Sequence, residues 1–174
     1  MKAIFHGKIL LPDGEVRGKA LLYDERILGI VEAPEAAAQA DEIIDAKGLF
    51  VAPGLVDVHI HGYGGDDVSD DQPDGVRRMA RRLLENGVTS FLPTTLTVAW
   101  DRLESICINM RGLNQESAQD DFPGAQILGV HLEGPFINPA YKGAQNPDYI
   151  LAPDAERILP LVRYKIAGYT IVGL

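Results

Sequence analysis

The sequence predicts an α/β protein with a parallel sheet, because strand patterns and helix patterns alternate along most of its length. Residues 55–61 and 126–133 alternate apolar with polar side chains at the two-residue period of a strand, and residues 88–92 form a further strand-like segment. Residues 74–85 and 103–113 carry apolar side chains at the 3.6-residue spacing of helices that pack on a sheet. This β–α–β–α–β order favours parallel strands joined by right-handed crossovers.

The residues before this alternation predict a small β-rich segment. Residues 2–33 contain short apolar runs typical of antiparallel strands, and Pro12-Asp13-Gly14 is a hairpin signal between two of them. The Ala-rich residues 34–40 are predicted to be a loop or a short helix. The apolar runs at 43–45 and 49–51 predict a second hairpin.

A change of domain is predicted at Pro53-Gly54, since this pair marks a sharp entry into a new element. We therefore expect a small β-domain over residues 1–52 and an α/β domain over residues 53–174. We find no internal repeat and no low-complexity tract.

The composition is typical of a globular protein, with 46% hydrophobic and 24% charged residues. The net charge of −9 argues against a nucleic acid or an anionic membrane as partner. We expect no signal peptide and no membrane span, because no apolar run approaches the ~20 residues that a span requires. The single cysteine fits a reducing compartment, so a cytoplasmic location is expected.

The end of the first parallel strand carries the clearest chemical signal. Asp57, His59 and His61 share one face of residues 55–61, while Val56, Val58 and Ile60 share the other and need apolar cover. Two imidazoles on one face suit a metal ion. A lone His-x-His pair is nevertheless a weak signal, because metal sites need three or more convergent groups. The alternative is that His59 and His61 hydrogen-bond to backbone groups or water and bind no metal.

A second polar group ends the strand of residues 126–133. Leu128, Val130 and Leu132 alternate there with polar residues, and Glu133 is followed by Gly134-Pro135, which interrupts a ladder. If the two strands are parallel neighbours, Glu133 reaches the same rim as the histidines. A carboxylate beside two imidazoles suits Zn²⁺ or a similar ion, and it can bridge two ions. Alternatively, Glu133 caps a turn or pairs with a surface base.

Two other polar groups are predicted to have structural roles. The acidic run at residues 66–71 is expected to be a solvated face, or to cap the helix that follows. Thr94 and Thr95, which follow the strand of residues 88–92, are not predicted to belong to the site.

These segments resemble a known enzyme superfamily. Residues 53–62 are similar to the first barrel strand of the amidohydrolase superfamily, and residues 131–136 with 142–147 more narrowly resemble the N-acetylglucosamine-6-phosphate deacetylases. The resemblance extends to about residue 160. It implies a partial (β/α)8 (TIM-type) barrel of a metal-dependent hydrolase, preceded by a small β-sandwich.

The resemblance also implies roles for individual residues. It makes Glu133 a metal ligand and assigns His59 and His61 to a second metal position. The implied metal is Zn²⁺ or Fe²⁺, with one or two ions per site. Ala144 matches a residue that contacts the sugar, here through its backbone. His131 either orients a ligand or is a packed histidine.

The implied reaction removes the acetyl group from N-acetylglucosamine 6-phosphate, giving glucosamine 6-phosphate and acetate. A (β/α)8 barrel needs about 250 residues, so this chain is expected to hold only the N-terminal portion, roughly three βα units. The acid/base Asp and further histidines are expected beyond the chain end. The resemblance suggests a homodimer for the full-length protein, and we expect no useful turnover from this chain alone.

Two alternatives remain open from the sequence. One is another amidohydrolase that acts on a cyclic amide, which His-x-His alone would permit, although the Glu133 motif and the loop at residues 142–147 favour the sugar deacetylase. The other is an inactive truncated fragment with at most weak metal binding, because three ligands without closing strands leave a poorly ordered site.

Overall fold

The computed structural model of the chain describes residues 1–163 in full and the backbone of residues 166–170. The chain divides into two compact units, Met1–Pro53 and Gly54–Leu174. The assignment of these units as separate domains stays a prediction, and residues 171–174 of the second predicted domain lie outside the described residues.

The strands of the first unit form two small mixed sheets. They are β1 (Lys2–Phe5), β2 (Lys8–Leu11), β3 (Gly14–Val16), β4 (Lys19–Tyr23), β5 (Ile27–Glu32), β6 (Glu42–Asp45) and β7 (Phe50–Val51), with helix α1 (Ala33–Gln39) between β5 and β6. One sheet has the order β5–β4–β1–β6 and the other β3–β2–β7. The hairpin signal at residues 12–14 is confirmed, because β2 and β3 pair antiparallel across that turn.

The second predicted hairpin, between residues 43–45 and 49–51, is wrong. β6 pairs in parallel with β1 and β7 pairs in parallel with β2, so the two strands belong to different sheets. The turn that joins them bonds to the end of β1 instead, where the N–H of Gly48 donates to the carbonyl of His6 at 2.7 Å. The partner strands lie far away in sequence, so a local turn pattern does not identify them.

The second unit is built on a parallel sheet. Its elements are β8 (Leu55–Ile60), β9 (Gly62–Tyr63), β10 (Asp66–Asp67), α2 (Pro73–Leu84), β11 (Val88–Thr95), α3 (Trp100–Glu116), β12 (Gln126–Ile127), β13 (Val130–Glu133), α4 (Ala155–Val162) and β14 (Ile166–Thr170). β8, β11, β13 and β14 are parallel neighbours in that order, and β12 pairs with β11 just ahead of β13. The α/β class and the parallel pairing are confirmed.

The core of this unit lies where α2 and α3 pack on the sheet. The buried side chains of the two helices are Val76, Met79, Ala80, Leu83, Leu103, Ile106, Cys107, Met110 and Leu113. They match the predicted apolar faces, except that Leu84 at the end of α2 is exposed. Each fully buried side chain of Leu or Met size contributes about 2 kcal/mol. Among the described helices, none combines the length and the apolar character that crossing a bilayer requires.

Two details of the predicted strands are corrected. The strand over residues 126–133 is interrupted at 128–129, so Leu128 is exposed rather than buried beside its neighbours. Val56 and Val58, which were expected to be covered, are 55% and 60% exposed. The reason is that no part of the chain that the structure describes covers these two side chains.

The expectation of a solvated acidic run is wrong for Asp66. The β9–β10 hairpin brings its carboxylate to α2, where it accepts hydrogen bonds from Nε of Arg78 at 3.1 Å and from Arg82 at 3.4 Å. The Asp66 side chain is only 14% exposed. The Arg78 guanidinium holds the pKa of Asp66 below its usual range. This ion pair fastens the hairpin that follows His61 to the helix.

Candidate metal centre

Two histidines and one glutamate meet where β8 and β13 end. His59 lies in β8 and His61 follows directly after it, and their Nε2 atoms are 3.3 Å apart. Glu133 is the last residue of β13, and its Oε2 lies 2.9 Å from Nε2 of His59 and 3.1 Å from Nε2 of His61. The structure thus brings the three predicted ligands together, with all ligand atoms within 4.8 Å of one another.

β8 and β13, which carry these side chains, are not neighbours, although the sequence analysis assumed neighbouring strands when it placed Glu133 at the rim of the histidines. β11 lies between them and pairs with both. Two strand spacings amount to about 9.6 Å, so the glutamate and the imidazoles approach each other from either side of β11. The parallel direction of all three strands is what places both groups at one rim.

The ring of His61 is oriented by β11. Its Nδ1 lies 3.1 Å from the backbone carbonyl oxygen of Thr94. Because a carbonyl only accepts, Nδ1 carries a hydrogen, and Nε2 is the ring nitrogen that a neutral His61 could offer to a cation. Thr94, which was not predicted to belong to the site, therefore supports it through its backbone. Its hydroxyl also accepts a bond from the N–H of Ile60 at 3.1 Å.

Glu133 has a second partner that the sequence analysis missed. The side-chain amide of Gln145 donates to Oε1 of Glu133 at 2.7 Å, and its carbonyl oxygen accepts from the N–H of Thr97, also at 2.7 Å. Gln145 is 6% exposed. The sequence shows only a polar residue in the loop at residues 142–147; the burial that obliges the Gln145 amide to find partners is visible only in the structure.

His131 and Asp57 line the same region without joining the three ligands. His131 is half-buried, with its ring centroid 4.8 Å from that of His59, and Nδ1 donates to the carbonyl of Val58 at 3.3 Å. The carboxylate of Asp57 accepts from the backbone N–H of His59 at 3.0 Å. Asp57 therefore supports the local backbone.

The comparison with known proteins gives the same family as the strand motif. The family model described as "Amidohydrolase family" matches residues 50–168, well over half of the chain. The chain belongs to the amidohydrolase family. Among curated relatives, the N-acetylglucosamine-6-phosphate deacetylase of Lysinibacillus sphaericus is 37% identical over 124 residues, and the N-acetylgalactosamine-6-phosphate deacetylase of Escherichia coli O157:H7 is 38% identical over 120 residues.

These relatives are much longer than the chain. The aligned parts cover 70% and 69% of this amidohydrolase chain but 30% of each relative. A solved structure, N-acetylglucosamine-6-phosphate deacetylase from Pasteurella multocida, superposes with a TM-score of 0.84 at 26% identity. That match covers 98% of this chain and 44% of the other. The likeness to the solved structure thus includes both units of this chain, but the chain spans less than half the length of each of these three proteins.

The three donors of this amidohydrolase suit a divalent metal ion. Two imidazole nitrogens and one carboxylate oxygen form a ligand set that zinc uses in catalytic sites. Two ligands bonded at about 2.1 Å to a tetrahedral ion lie roughly 3.4 Å apart, close to the 2.9–3.3 Å separations between these atoms. His59, His61 and Glu133 are 43%, 30% and 20% exposed, so the donors are accessible from solvent.

Ala144 lies in the exposed turn that precedes Gln145. Its side chain offers no polar group, so any sugar contact would use its backbone. The role of Ala144 stays a prediction.

Proposed function

We propose that this chain forms the metal-binding part of an enzyme that hydrolyses N-acetylglucosamine 6-phosphate to glucosamine 6-phosphate and acetate. The observation that carries the proposal is the convergence of His59, His61 and Glu133 in a chain of the amidohydrolase family. The names of the relatives support a 6-phosphorylated N-acetyl amino sugar as the substrate class. One of them acts on the galactosamine epimer, so both epimers belong in the test.

His59, His61 and Glu133 would hold the ion, with Zn²⁺ or Fe²⁺ as the candidates. A bound ion would polarise the amide carbonyl and lower the pKa of a water ligand to about 7. The two imidazoles are neutral donors and Glu133 adds one negative charge, so the ligands neutralise only half of a divalent charge. The remaining charge favours an anionic or carbonyl oxygen next to the three side chains.

The departing amine needs a proton, which the resemblance assigns to an Asp that matches no residue of this chain. We assign this acid/base to the part of the enzyme that the chain does not span. His131 lies beside His59 but its Nδ1 is bonded to a backbone carbonyl, so we propose an orienting role for it.

We extend the proposal to the architecture. β8, β11, β13 and β14 are parallel and follow one another in chain order, which supports their assignment as the first strands of a (β/α)8 barrel. Active sites of such barrels gather at the strand C-termini. The two sheets of the first unit support a small β-sandwich. One buried cysteine fits a reducing cytoplasm. A homodimer of the full-length protein is proposed from the resemblance alone.

The proposal is tested by metal binding and by acetate release. The 174-residue chain is titrated with Zn²⁺ and then assayed on both 6-phosphorylated N-acetyl amino sugars. The assay is run with the chain alone and with the separately expressed remainder of the Lysinibacillus sphaericus relative. We expect Zn²⁺ binding by the chain alone and acetate only from the mixture. Glu133→Ala should abolish both, and the relative's own matching segment serves as the positive control for assembly.

The other outcomes discriminate between the alternatives. Hydrolysis of a cyclic amide in preference to the amino sugars would indicate a different amidohydrolase. Zinc binding without acetate release, in a mixture whose positive control works, would indicate an inactive metal-binding fragment. Turnover by the chain alone at the rate of a full-length relative would contradict its assignment as a partial site.

A further inference from the structure

Thr97 is connected to Glu133 in two ways, although it lies 36 residues earlier in the chain. The hydroxyl of Thr97 donates to the backbone carbonyl oxygen of Glu133 at 3.1 Å. The backbone N–H of Thr97 donates to the side-chain oxygen of Gln145 at 2.7 Å, and the NH₂ group of Gln145 donates to Oε1 of Glu133 at 2.7 Å. These hydrogen bonds close a ring through the three residues.

The direction of each hydrogen bond in this ring follows from the chemistry of its partners. A backbone N–H can only donate, so the oxygen of the Gln145 amide faces Thr97 and its nitrogen faces Glu133. A backbone carbonyl can only accept, so the hydroxyl hydrogen of Thr97 points to Glu133. Thr97 and Gln145 are both buried, so water competes little for these bonds. Each donor in the ring therefore meets an acceptor.

The approach of Thr97 to Glu133 requires that residue 134 has no side chain. A Cβ atom on Gly134 would overlap the hydroxyl oxygen of Thr97. Gly134 also has a φ of 88°, a backbone conformation that favours glycine. A larger residue at this position would displace the hydroxyl from the carbonyl of Glu133. The glycine that follows Glu133 therefore makes room for the contact with Thr97.

We propose that Thr97 is a positioning residue that fixes Glu133 for metal binding, through both its backbone and its carboxylate. The inference rests on the proposed metal site and goes beyond it. The hydroxyl holds the backbone at the end of β13, and the N–H holds the Gln145 amide that orients the carboxylate. In this orientation Oε2 of Glu133 lies 2.9 Å from His59 and 3.1 Å from His61. A group that is oriented before an ion arrives has less conformational entropy to lose on binding.

The same segment also holds the other half of the centre. Thr94, three residues earlier, accepts a hydrogen bond from Nδ1 of His61 through its backbone carbonyl at 3.1 Å. Residues 94–97 thus contact both strands that carry the three ligands. Loss of the Thr97 hydroxyl should therefore change the geometry between Glu133 and His61, in addition to any effect on the stability of the fold.

The test compares Thr97→Val with Thr97→Ser in the 174-residue chain. Valine keeps the branched shape but replaces the hydroxyl by a methyl group, whereas serine keeps the hydroxyl. Thr95→Val is the matched control, because the Thr95 hydroxyl is also buried but has no hydrogen-bond partner among the described residues. Zn²⁺ affinity is measured by competition with a chromophoric chelator, and ligand geometry by the visible spectrum of the Co²⁺ form.

We expect Thr97→Val to bind Zn²⁺ about 10-fold more weakly than the wild type, with a shifted Co²⁺ spectrum. Loss of a residue that supports a metal ligand typically weakens binding by about 10–100-fold. The lower value is expected because the hydroxyl bonds to the backbone of Glu133 and the bond from Gln145 to the carboxylate remains. Thr97→Ser and Thr95→Val should both bind Zn²⁺ like the wild type.

Three outcomes would overturn this expectation. Wild-type affinity and spectrum in Thr97→Val would show that the hydroxyl does not position Glu133. Equal losses in Thr97→Ser and Thr97→Val would show that the hydroxyl is not the cause of the loss. A wild-type chain that binds no Zn²⁺ would overturn the proposed metal site, and this inference with it.

Two further measurements cover the case in which Thr97→Val does not fold. Thr97→Ala and Thr97→Ser differ only in the hydroxyl oxygen, and the alanine variant should bind Zn²⁺ more weakly than the serine variant. In the wild type, hydrogen exchange of the Thr97 amide is followed by ¹⁵N NMR. It should slow when Zn²⁺ is added, because a bound ion immobilises Glu133 and, through it, Gln145. Equal affinities of the two variants, or exchange that Zn²⁺ does not change, would contradict the inference.

Discussion

Nδ1 of His61 lies 3.1 Å from the backbone carbonyl oxygen of Thr94, and this bond decides which ring nitrogen His61 presents to the centre. Since the carbonyl accepts, the hydrogen sits on Nδ1 and the lone pair on Nε2. A metal ligand oriented by a second hydrogen bond loses less freedom on binding. β11 thus contributes to the centre although none of its side chains is among the three ligands.

Replacing His61 by Ala should weaken Zn²⁺ binding by about 100-fold or more, because one of three donors is lost. Isothermal titration of the chain with Zn²⁺ measures the change. His6→Ala is the matched control, since His6 is exposed in the first unit and bonds to Asp45. Equal losses in the two variants would show that binding does not occur at the cluster of His59, His61 and Glu133.

The neighbouring threonines Thr94 and Thr95 should respond oppositely to valine. The Thr95 hydroxyl is buried without a hydrogen-bond partner among the described residues, so Thr95→Val should stabilise the fold by about 1 kcal/mol. The Thr94 hydroxyl bonds to the N–H of Ile60 and the carbonyl of Leu92. Thr94→Val should therefore destabilise by about 1–3 kcal/mol. Urea unfolding of both variants measures the free energies, and destabilisation by Thr95→Val would contradict the first expectation.

The ion pair of Asp66 should make stability depend on acidic pH. The pKa of Asp66 is lowered by its hydrogen bond to Arg78, so the carboxylate stabilises the folded chain above the unfolded value of 3.8. That contribution is lost as pH falls through the lower, folded pKa. Asp66→Asn should lower the melting temperature at pH 6, and the difference from wild type should shrink below pH 4.

Asp13→Asn, in the exposed turn between β2 and β3, is the control for this pH dependence. Its melting temperature should follow the wild type across the whole range. A difference between Asp66→Asn and wild type that stays constant down to pH 2 would mean that the ion pair is not the cause.

The thiol of Cys107 should be unreactive in the folded chain. Burial, and to a smaller extent Glu104, raises the pKa of Cys107 to about 12. At pH 8 roughly one thiol in 10⁴ is then ionised. We expect no reaction with a disulfide reagent under native conditions and one thiol per chain in guanidinium. Rapid reaction of the native chain would indicate that α3 does not pack on the sheet as described.

Local patterns predicted the elements that depend on periodicity. The faces of α2 and α3 follow from 3.6-residue spacing, and the common direction of His59 and His61 follows from the two-residue period of a strand. The position of Glu133 at a strand end was also visible, because Gly134-Pro135 follows it. These features are decided by residues only a few positions apart.

Features that depend on distant partners were not predictable in this way. The separation of β6 from β7 arises because each strand pairs with a different, earlier strand. Asp66 is largely buried because α2 presents Arg78 to it, and the valines at 56 and 58 are exposed because no described part of the chain covers them. In each case the deciding contact lies outside any local window of sequence.

By itself the sequence determined which side chains carry the chemistry: two imidazoles one residue apart and a carboxylate at the end of a later strand. Only the tertiary structure decided that β11 lies between these strands, that Thr94 orients His61, and that Gln145 donates to one oxygen of Glu133. The physical reason is that ligand type is a property of single residues. Ligand direction is a property of hydrogen bonds between segments that only the folded chain brings together.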